Sequence, residues 1–285
     1  MQNIFFDTRI LDKKSREKFS LTEEIMMENA AQGLESCVMP HVFHESARYI
    51  NRPCVLILAG RGNNGADGYA LARRLSCHDF CVAVCCIGEP SSEIAKVQKK
   101  RAELLGVSFI SPYDLDSFAE EKSFDISVVV DCIYGSGFHL PLDAESEAVI
   151  QSANKIEAFK ISCDIPSGLD SAGNGKTVFC ADETVAMGAL KLSLFSDKAK
   201  DFCGKIKVCN LGISRNNFEF LDSPNAFLLE KEEMKLPFRK MQNVHKGTFG
   251  HVAVAAGEKT GAAKIAAHAA FSFGAGLATL VGTED

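Results

Sequence analysis

Residues 58–75 read LAGRGNNGADGYALARRL, and this segment carries the main indication of the chain's architecture. It starts as the end of an apolar strand, passes through a glycine-rich turn and continues as an amphipathic helix. The turn carries Asn63, Asn64 and Asp67, so polar side chains stand where the strand gives way to the helix. In open α/β sheets, ligands bind at the carboxyl ends of the strands. We therefore expect the chemistry of this chain at this turn.

The same alternation of apolar strand and helix continues on both sides of this stretch. The strand-like runs are CVLILAG, CVAVCCIG, VSFI, ISVVVDCIYG, FKISCDIP, ADETVAMGA and KIKVCNLG. Runs such as VLIL and VVV are apolar on both faces, which indicates strands covered by helices on both sides. A further helix is predicted before them, in LTEEIMMENAAQGLESCVM, capped by Ser20 or Thr22. The pattern predicts an α/β fold: a Rossmann-like, three-layer, doubly wound and mostly parallel sheet.

Composition excludes several classes of function. The 285 residues carry a net charge of -6 with no basic stripe, so we expect no nucleic-acid partner. The eleven cysteines lie mostly in apolar runs without a C-x-x-C pair, and no secretory signal is recognisable, so we expect a reduced, cytoplasmic protein. The nearly apolar segment Ala262–Val281 contains Lys264 and His268 and is broken by glycines. It predicts a helix followed by a strand, and no membrane span.

The alternating pattern lapses after Leu211 into the polar stretch SRNNFEFLDSPN. We interpret this stretch as a boundary between domains. A new unit follows, with HKGTFGHVAVAAG, an alanine-rich helix and the strand LATLV. Two strands and one helix are too few for an independent α/β core, so the second domain is expected to be truncated.

Polar turns follow three strands of the predicted sheet. The first holds Asn63, Asn64 and Asp67, the next holds Asp131 followed by YGSGFHLP, and the third holds Asp164 and Ser167. If these strands are neighbours, their ends bring the turns to one crevice; the alternative is that the residues only cap helices and form turns. Amide, carboxylate and hydroxyl oxygens are hard ligands, which suit an alkali or alkaline-earth ion better than zinc or copper.

Two other interpretations of the glycine-rich turn remain open. Gly60, Gly62 and Gly65 satisfy G-x-G-x-x-G, the fingerprint of nicotinamide-dependent oxidoreductases, although the charge of Asp67 at the helix start would oppose a bound phosphate. A non-catalytic nucleotide-binding module on the same fold is the other alternative. The G-K-T run at residues 175–177 lacks the preceding strand of a phosphate loop and is interpreted as a surface turn.

Together the motifs resemble a known family. GRGNNGADG, VDCIYGSGFHLP, SCDIPSGLD and LTEEIMMENAA closely resemble the NAD(P)H-hydrate epimerase domain, of the YjeF N-terminal type. HKGTFGHVAVAAG and TGAAKIAAHAAFSFGAGLATL resemble the start of the ADP/ATP-dependent NAD(P)H-hydrate dehydratase domain, and the two occur fused in bifunctional repair proteins. The resemblance implies an epimerase domain at residues 1–215, a linker at 216–226 and the truncated start of a ribokinase-like dehydratase domain at 227–285.

The resemblance also implies a substrate and the residues that bind it. The substrate is NAD(P)HX, NADH or NADPH hydrated at C6 of the nicotinamide ring, which occurs as R and S epimers. The implied potassium ligands are Asn64, Asp131 and Ser167. The implied substrate-binding residues are Asn63, Asn64, Gly65, Ala66, Asp67, Gly135, Ser136, Gly137, Phe138, His139, Leu140, Pro141 and Asp164. The family usually has a glycine where this chain has Ala66.

A mechanism follows from the chemistry of that substrate. The C6 hydroxyl belongs to a carbinolamine, so the ring nitrogen can expel it, and readdition to the opposite face inverts the centre without breaking a C–H bond. This requires an acid/base carboxyl group, for which Asp164 is the first candidate and Asp67 the second. The resemblance further implies ADP or ATP for a complete dehydratase domain, which this chain is expected to be too short to supply. It also implies a homodimer or higher homo-oligomer, formed through Met26–Ala31.

Overall fold

A computed structural model describes residues 1–42, 52–234 and 240–282. The described chain forms two compact units, the first ending at Leu228 and the second beginning at Leu229. The described strands of the first unit are β1 (Gln2–Phe5), β2 (Arg52–Ala59), β3 (Cys81–Cys86), β4 (Ser108–Ile110), β5 (Phe124–Cys132), β6 (Phe159–Cys163), β7 (Glu183–Met187), β8 (Leu190–Lys191), β9 (Lys205–Cys209) and β10 (Ala226–Leu228). Its α-helices are α1 (Arg9–Phe19), α2 (Glu23–Val42), α3 (Asn63–Leu75), α4 (Glu93–Leu104), α5 (Leu115–Ala119), α6 (Ala144–Lys155), α7 (Lys200–Cys203) and α8 (Arg215–Glu219).

Seven strands form the main sheet, in the order β4-β3-β2-β5-β6-β7-β9. Every neighbouring pair in it is parallel, which confirms the predicted α/β fold. The chain runs outward from β2 to β3 and β4 on one side, then returns to place β5 on the other side of β2. Such a reversal of strand order opens a crevice at the carboxyl ends of β2 and β5.

Helices cover both faces of this sheet, as the doubly apolar strands require. In β2, Val55 and Ile57 pack with side chains of α2, α3 and α4 on one face. Leu56 and Leu58 pack with α5 and α6 on the other face. The alternation follows from the two-residue period of a strand, so both faces of β2 are buried. All eleven cysteines, each in the described part of the chain, are free thiols.

A second, three-stranded sheet, in the order β10-β1-β8, ties the ends of the first unit together. Strand β1 pairs in parallel with β8, where Phe5 lies opposite Lys191, and antiparallel with β10. The predicted linker, residues 216–226, therefore belongs to the first unit. Its α8 carries Phe218, which is 1% exposed. Burial of this side chain holds in place a stretch whose polar composition indicated a boundary between domains.

Helix α2 corresponds to the helix predicted from LTEEIMMENAAQGLESCVM, and it begins at Glu23. Thr22 caps it, because its Oγ1 accepts a hydrogen bond from the Ile25 N–H at 3.2 Å. The segment Met26–Ala31, implied as a dimer contact, buries Met26 and Met27 within this chain. A homodimer stays a prediction, and these two methionine side chains are not exposed to form it.

The second unit contains β11 (His251–Ala255), α9 (Gly261–Phe273) and β12 (Leu277–Val281), all at predicted positions. The two strands pair in parallel. No described residue from 240 to 282 is buried, since two strands and one helix cannot enclose a core. Within the described residues, no helix has both the length and the apolar character needed to cross a membrane.

Candidate active site

The crevice at the switch point holds a cavity of about 780 Å³. It lies at the carboxyl ends of β2, β5 and β6, where the three polar turns were predicted to meet. Its polar and aromatic lining residues are Thr8, Arg9, Asp12, Arg61, Asn63, Asn64, Asp67, Tyr134, Ser136, Phe138, His139, Asp143 and Asp164. The turns therefore come together, in agreement with the arrangement predicted from the sequence.

Close backbone packing explains the glycines of the first turn. A Cβ on Gly60 would lie 2.1 Å from the carbonyl oxygen of Ile133, and one on Gly65 would lie 1.8 Å from that of Gly60. Gly62, the N-cap of α3, has open space around it. The G-x-G-x-x-G spacing thus reflects two obligatory close contacts inside the protein, and it is not specific evidence for a dinucleotide fingerprint.

Asn64 links the three strand ends. Its Nδ2 donates to the carbonyl oxygen of Tyr134 at 2.9 Å and to that of Cys163 at 3.2 Å. Tyr134 follows β5, and Cys163 is the last residue of β6. Since α3 begins at Asn63, the helix start is fixed against the loops after both strands.

Asp131 lies beneath the cavity and is fully buried. Its carboxylate accepts from the Ser167 N–H at 2.7 Å and the Ser167 hydroxyl at 2.6 Å, and also from Ile133 and Ser162. The Ser167 hydroxyl in turn accepts from the Tyr134 N–H at 2.9 Å. Burial raises the pKa of Asp131 to about 6, with these hydrogen bonds opposing the rise. The network joins the turns that follow β5 and β6.

Asp164 lies in the cavity wall and is 7% exposed. Its Oδ1 accepts from the Met187 N–H at 3.1 Å and forms an ion pair with Lys191, and its Oδ2 accepts from the Ser136 N–H at 3.2 Å. Its backbone φ of 74° lies in the left-handed region, which residues other than glycine rarely adopt. Three donors and an unusual backbone conformation thus fix one carboxylate at the cavity.

Lys191 is the cation that holds this carboxylate. Its side chain is 1% exposed, and its ammonium also donates to the carbonyl oxygens of Met187 at 3.0 Å and Ala189 at 3.3 Å. A buried ammonium requires such partners, because an unpaired buried charge costs several kcal/mol. Lys191 was missed from the sequence, although a lone lysine in the apolar run VAMGALKLSLF was a signal of burial with a partner.

Asp67 is half-buried on the second turn of α3 and lines the cavity. Burial, together with the negative charges of Asp164 and Asp12, raises its pKa well above its usual value. Among the described residues, no N–H or O–H donates a hydrogen bond to its carboxyl group. The site therefore pairs a carboxylate held by three donors with a carboxyl group that favours its protonated form.

The loop after β5 forms one side of the cavity. Gly135 leaves room for Asp164, whose Oδ2 would lie 3.1 Å from a Cβ at this position. Phe138 packs on Tyr134, with ring centroids 4.6 Å apart. Gly135, Ser136, Gly137, Phe138, His139 and Pro141 line the cavity, and their binding of substrate stays a prediction. Leu140 is 43% exposed and does not line it.

Two residues of the predicted substrate set lie below the cavity surface. Gly65 and Ala66 are buried and do not line the cavity. Ala66 packs in the core between the sheet and its helices. A methyl group in place of the family's usual glycine therefore points into the protein, and it does not narrow the cavity.

The N-terminal arm supplies lining residues that sequence reasoning missed. Thr8 is the N-cap residue of α1, and Arg9 and Asp12 lie in the first turn of this helix. Asp12 stands in the polar run RILDKKSREKF, which is typical of a solvated helix face, so the sequence carried no clear signal for it. Arg61 also lines the cavity, from the turn after β2.

Comparisons with known proteins agree with this architecture. A crystal structure of a yeast protein matches with a TM-score of 0.63 at 17% identity, over 81% of this chain and 98% of that chain, which shows a shared fold. A bifunctional NAD(P)H-hydrate repair enzyme from Helicobacter pylori is 39% identical over 285 residues, which are 100% of this chain and 58% of that protein. An NAD(P)H-hydrate epimerase from Rhodopirellula baltica is 32% identical over 210 residues, which are 72% of this chain and 82% of that protein.

This chain spans about half the length of the bifunctional relatives, 58% of the Helicobacter pylori protein and 53% of one from Archaeoglobus fulgidus. The family model described as "YjeF-related protein N-terminus" matches residues 23–193, which include β2 to β8 and the three polar turns. Since that match covers more than half of the chain, the chain belongs to the family of YjeF-related protein N-termini.

Proposed function

We propose that this chain is an isomerase that interconverts the R and S epimers of NADH and NADPH hydrated at C6 of the nicotinamide ring. Relatives named NAD(P)H-hydrate epimerase support the reaction. The observation that carries the proposal is the Asp164 carboxylate, fixed at the cavity by Lys191 and two backbone N–H groups. An acid/base group held in one orientation is what the reaction requires of the protein.

The reaction proceeds in two balanced steps. A carboxyl group protonates the C6 hydroxyl, the C6–O bond breaks with its electron pair moving to oxygen, and water leaves while the N1 lone pair forms C6=N1. Water then adds to the opposite face, N1 regains its lone pair, and a carboxylate accepts the proton lost by the adding oxygen. Asp164 is the first candidate for the acid/base group and Asp67 the second.

The cavity is large enough for part of a dinucleotide, since ligand pockets commonly enclose 300–1,000 Å³. The start of α3 at Asn63 and Asn64 would bind one side of the substrate. The loop from Gly135 to Pro141 would bind the other side, where the Tyr134–Phe138 pair offers an aromatic surface. The dinucleotide is then the substrate of the reaction and not its hydride-carrying cofactor.

Asn64, Asp131 and Ser167 carry the oxygen types that suit a potassium ion, and in this structure the Asp131 carboxylate accepts four hydrogen bonds from the protein. The carbonyl oxygens of Tyr134 and Cys163 converge on the Asn64 amide, and the Ser167 hydroxyl lies 3.4 Å from the Tyr134 oxygen. Hard oxygen donors of this kind suit an alkali cation, with Asp131 supplying negative charge beneath them. When bound, potassium would supply positive charge that partly neutralises the carboxylates of the site.

The second unit is proposed to be the beginning of a dehydratase domain. Relatives named bifunctional NAD(P)H-hydrate repair enzymes support this assignment. The resemblance of the sequence motifs implies that a complete domain would use ADP or ATP to dehydrate the S epimer. No residue described between 240 and 282 is buried, so this unit shows no enclosed site of its own. We therefore propose no dehydratase activity for these 285 residues.

The test is a coupled assay. A mixture of R and S NADHX is incubated with an excess of an S-specific dehydratase and ATP, and this chain is added. Accelerated loss of the R epimer is expected, because epimerisation feeds the S-specific enzyme. Binding of NADHX without turnover would contradict an isomerase and favour a binding module, and an absorbance change at the nicotinamide band with intact NAD and a substrate would favour an oxidoreductase.

A matched pair of variants locates the activity. Asp164→Asn is expected to abolish the acceleration while far-UV circular dichroism stays unchanged. Asp197→Asn makes the same substitution at a side chain that is 96% exposed and outside the cavity, and it is expected to behave like the unsubstituted chain. Normal rates for Asp164→Asn would refute the assignment of this residue.

A further inference from the structure

Asp12 is a titratable group at the cavity that the reaction outlined above does not use. It lies on α1, and its half-buried carboxyl group lines the main cavity. A smaller cavity of about 120 Å³ continues beyond it, towards Met26 of α2. Asp12 and Asp67 line both cavities, so Asp12 stands at the junction between them.

The groups around Asp12 leave its carboxyl group without a donor. The ammonium of Lys191, on β8, is bound to Asp164 and two carbonyl oxygens. The guanidinium of Arg16, one helical turn away on α1, is paired with Glu23 at the start of α2. Asp7, just before α1, is bound by Arg9. Asp67 on α3, which lines both cavities with Asp12, is a second carboxyl group and supplies no positive charge. In the part of the chain that the structure describes, no group hydrogen-bonds to the Asp12 side chain.

This environment favours the neutral form of Asp12. Burial is the largest cause, the charges of Asp164 and Asp7 act in the same direction, and those of Lys191 and Arg16 act against them. The pKa of Asp12 is raised to about 6 as a result. Near pH 6 the group can both give and accept a proton, which is the behaviour of an efficient acid/base catalyst.

Inversion at C6 involves one proton transfer on each face of the ring. The hydroxyl leaves from one face and water adds to the other, so a carboxyl group fixed on a single side reaches only one of the two oxygen atoms directly. Asp164 enters the cavity from the end of β6 and is held there. Asp12 enters from a separate element, the helix α1, which lies outside the main sheet.

We propose that Asp12 is a second acid/base residue of the epimerisation, acting on the face of the nicotinamide ring opposite to Asp164. The inference rests on the proposed function. In one direction, neutral Asp12 gives its proton to the C6 hydroxyl, which leaves as water with the C–O electron pair while N1 forms C6=N1. Water then adds from the other face, the new C–O bond takes its electron pair from that water, N1 regains its lone pair, and Asp164 accepts the proton. In the reverse direction the two residues exchange roles, and a water molecule returns the proton between turnovers.

The experiment measures kcat, KM and their pH profiles for three variants. Asp12→Asn keeps the shape of the side chain and is expected to lower kcat by roughly 100-fold or more, with KM changed less than threefold. The activity of the unsubstituted chain should fall as pH rises above about 6, because Asp12 loses its proton. This fall is the alkaline limb of the pH profile, and it should be absent from Asp12→Asn. Asp12→Glu should restore part of kcat and recover the limb.

Glu17→Gln is the matched control. Glu17 lies on the same helix, its side chain is 63% exposed, and it does not line either cavity. This variant should match the unsubstituted chain. A normal kcat for Asp12→Asn would overturn the proposal, and so would a lowered kcat with the alkaline limb intact, which a structural role would give. If the unsubstituted chain had no epimerase activity, the proposed function would fail before this comparison.

Discussion

The ion pair between Lys191 and Asp164 permits a quantitative prediction. Replacing Lys191 with methionine keeps most of the side-chain volume, so the cavity left behind is small. The substitution removes an ammonium that is 1% exposed and contacts one carboxylate and two carbonyl oxygens. Breaking a buried pair by removing one partner costs about 3–5 kcal/mol, because the other charge remains buried. We expect Lys191→Met to lower the free energy of unfolding of the first unit by about this amount.

Urea unfolding of the full chain, followed by far-UV circular dichroism, measures this effect in a double-mutant cycle. Asp164→Asn alone should also destabilise the first unit, since it leaves the ammonium without its carboxylate. In the double variant Lys191→Met/Asp164→Asn neither charge remains. Its loss of stability should therefore be smaller than the sum of the two single losses by about 2 kcal/mol or more.

A lysine on the surface provides the control. Lys200 pairs with Asp197, and both side chains are more than half exposed. Lys200→Met should leave the unfolding midpoint unchanged, because solvent screens such pairs. If Lys191→Met were no more destabilising than Lys200→Met, or if the double-mutant cycle were additive, the buried pair would not stabilise the site in the way argued here.

Two further predictions concern the cation and the raised pKa of Asp12. Potassium should raise the thermal unfolding midpoint relative to tetramethylammonium at equal ionic strength, and Ser167→Ala should remove the difference; an unsubstituted chain that unfolds alike in both salts would contradict the potassium site. Folding raises the pKa of Asp12 from 3.8 to about 6, so the folded chain holds a proton that the unfolded chain releases, and stability falls as pH rises through this window. In urea unfolding, the free energy of unfolding of Asp12→Asn should match that of the unsubstituted chain near pH 3 and exceed it at pH 7 by up to about 3 kcal/mol. A difference that does not depend on pH would refute the raised pKa.

The main sheet could be predicted from the sequence because its signals are local. Each strand of a parallel sheet buried on both faces is a continuous apolar run, and each is followed by a turn and a helix. The carboxyl-end rule then brought together Asn64, Asp131 and Asp164 without any knowledge of their contacts. This rule does not predict hydrogen bonds. It gave no indication that the carboxylate oxygens of Asp131 accept four hydrogen bonds from the protein itself.

The three-stranded sheet could not be predicted in the same way. Strand β8 has two residues and β10 has three, too few for any periodicity to be visible. Their pairing with β1 joins segments that are far apart along the chain. The entropy lost in closing such long loops is offset only by contacts in the folded structure. Lys191 lies on β8 of this sheet and contacts Asp164, and Asp12 lies on α1, which follows β1. Motif reasoning therefore found Asp164 but neither of these two residues.

The small sheet determines how the site is completed. The main sheet alone offers a crevice with an open side, as in any doubly wound fold. Pairing of β1 with β8 sets Phe5 opposite Lys191, so the same ladder that places the ammonium against Asp164 also directs the chain into α1. Asp12 follows within two turns of that helix. The position of Asp12 and the ion pair between Lys191 and Asp164 thus depend on the pairing of β1 with β8. A change that breaks this pairing should disturb both.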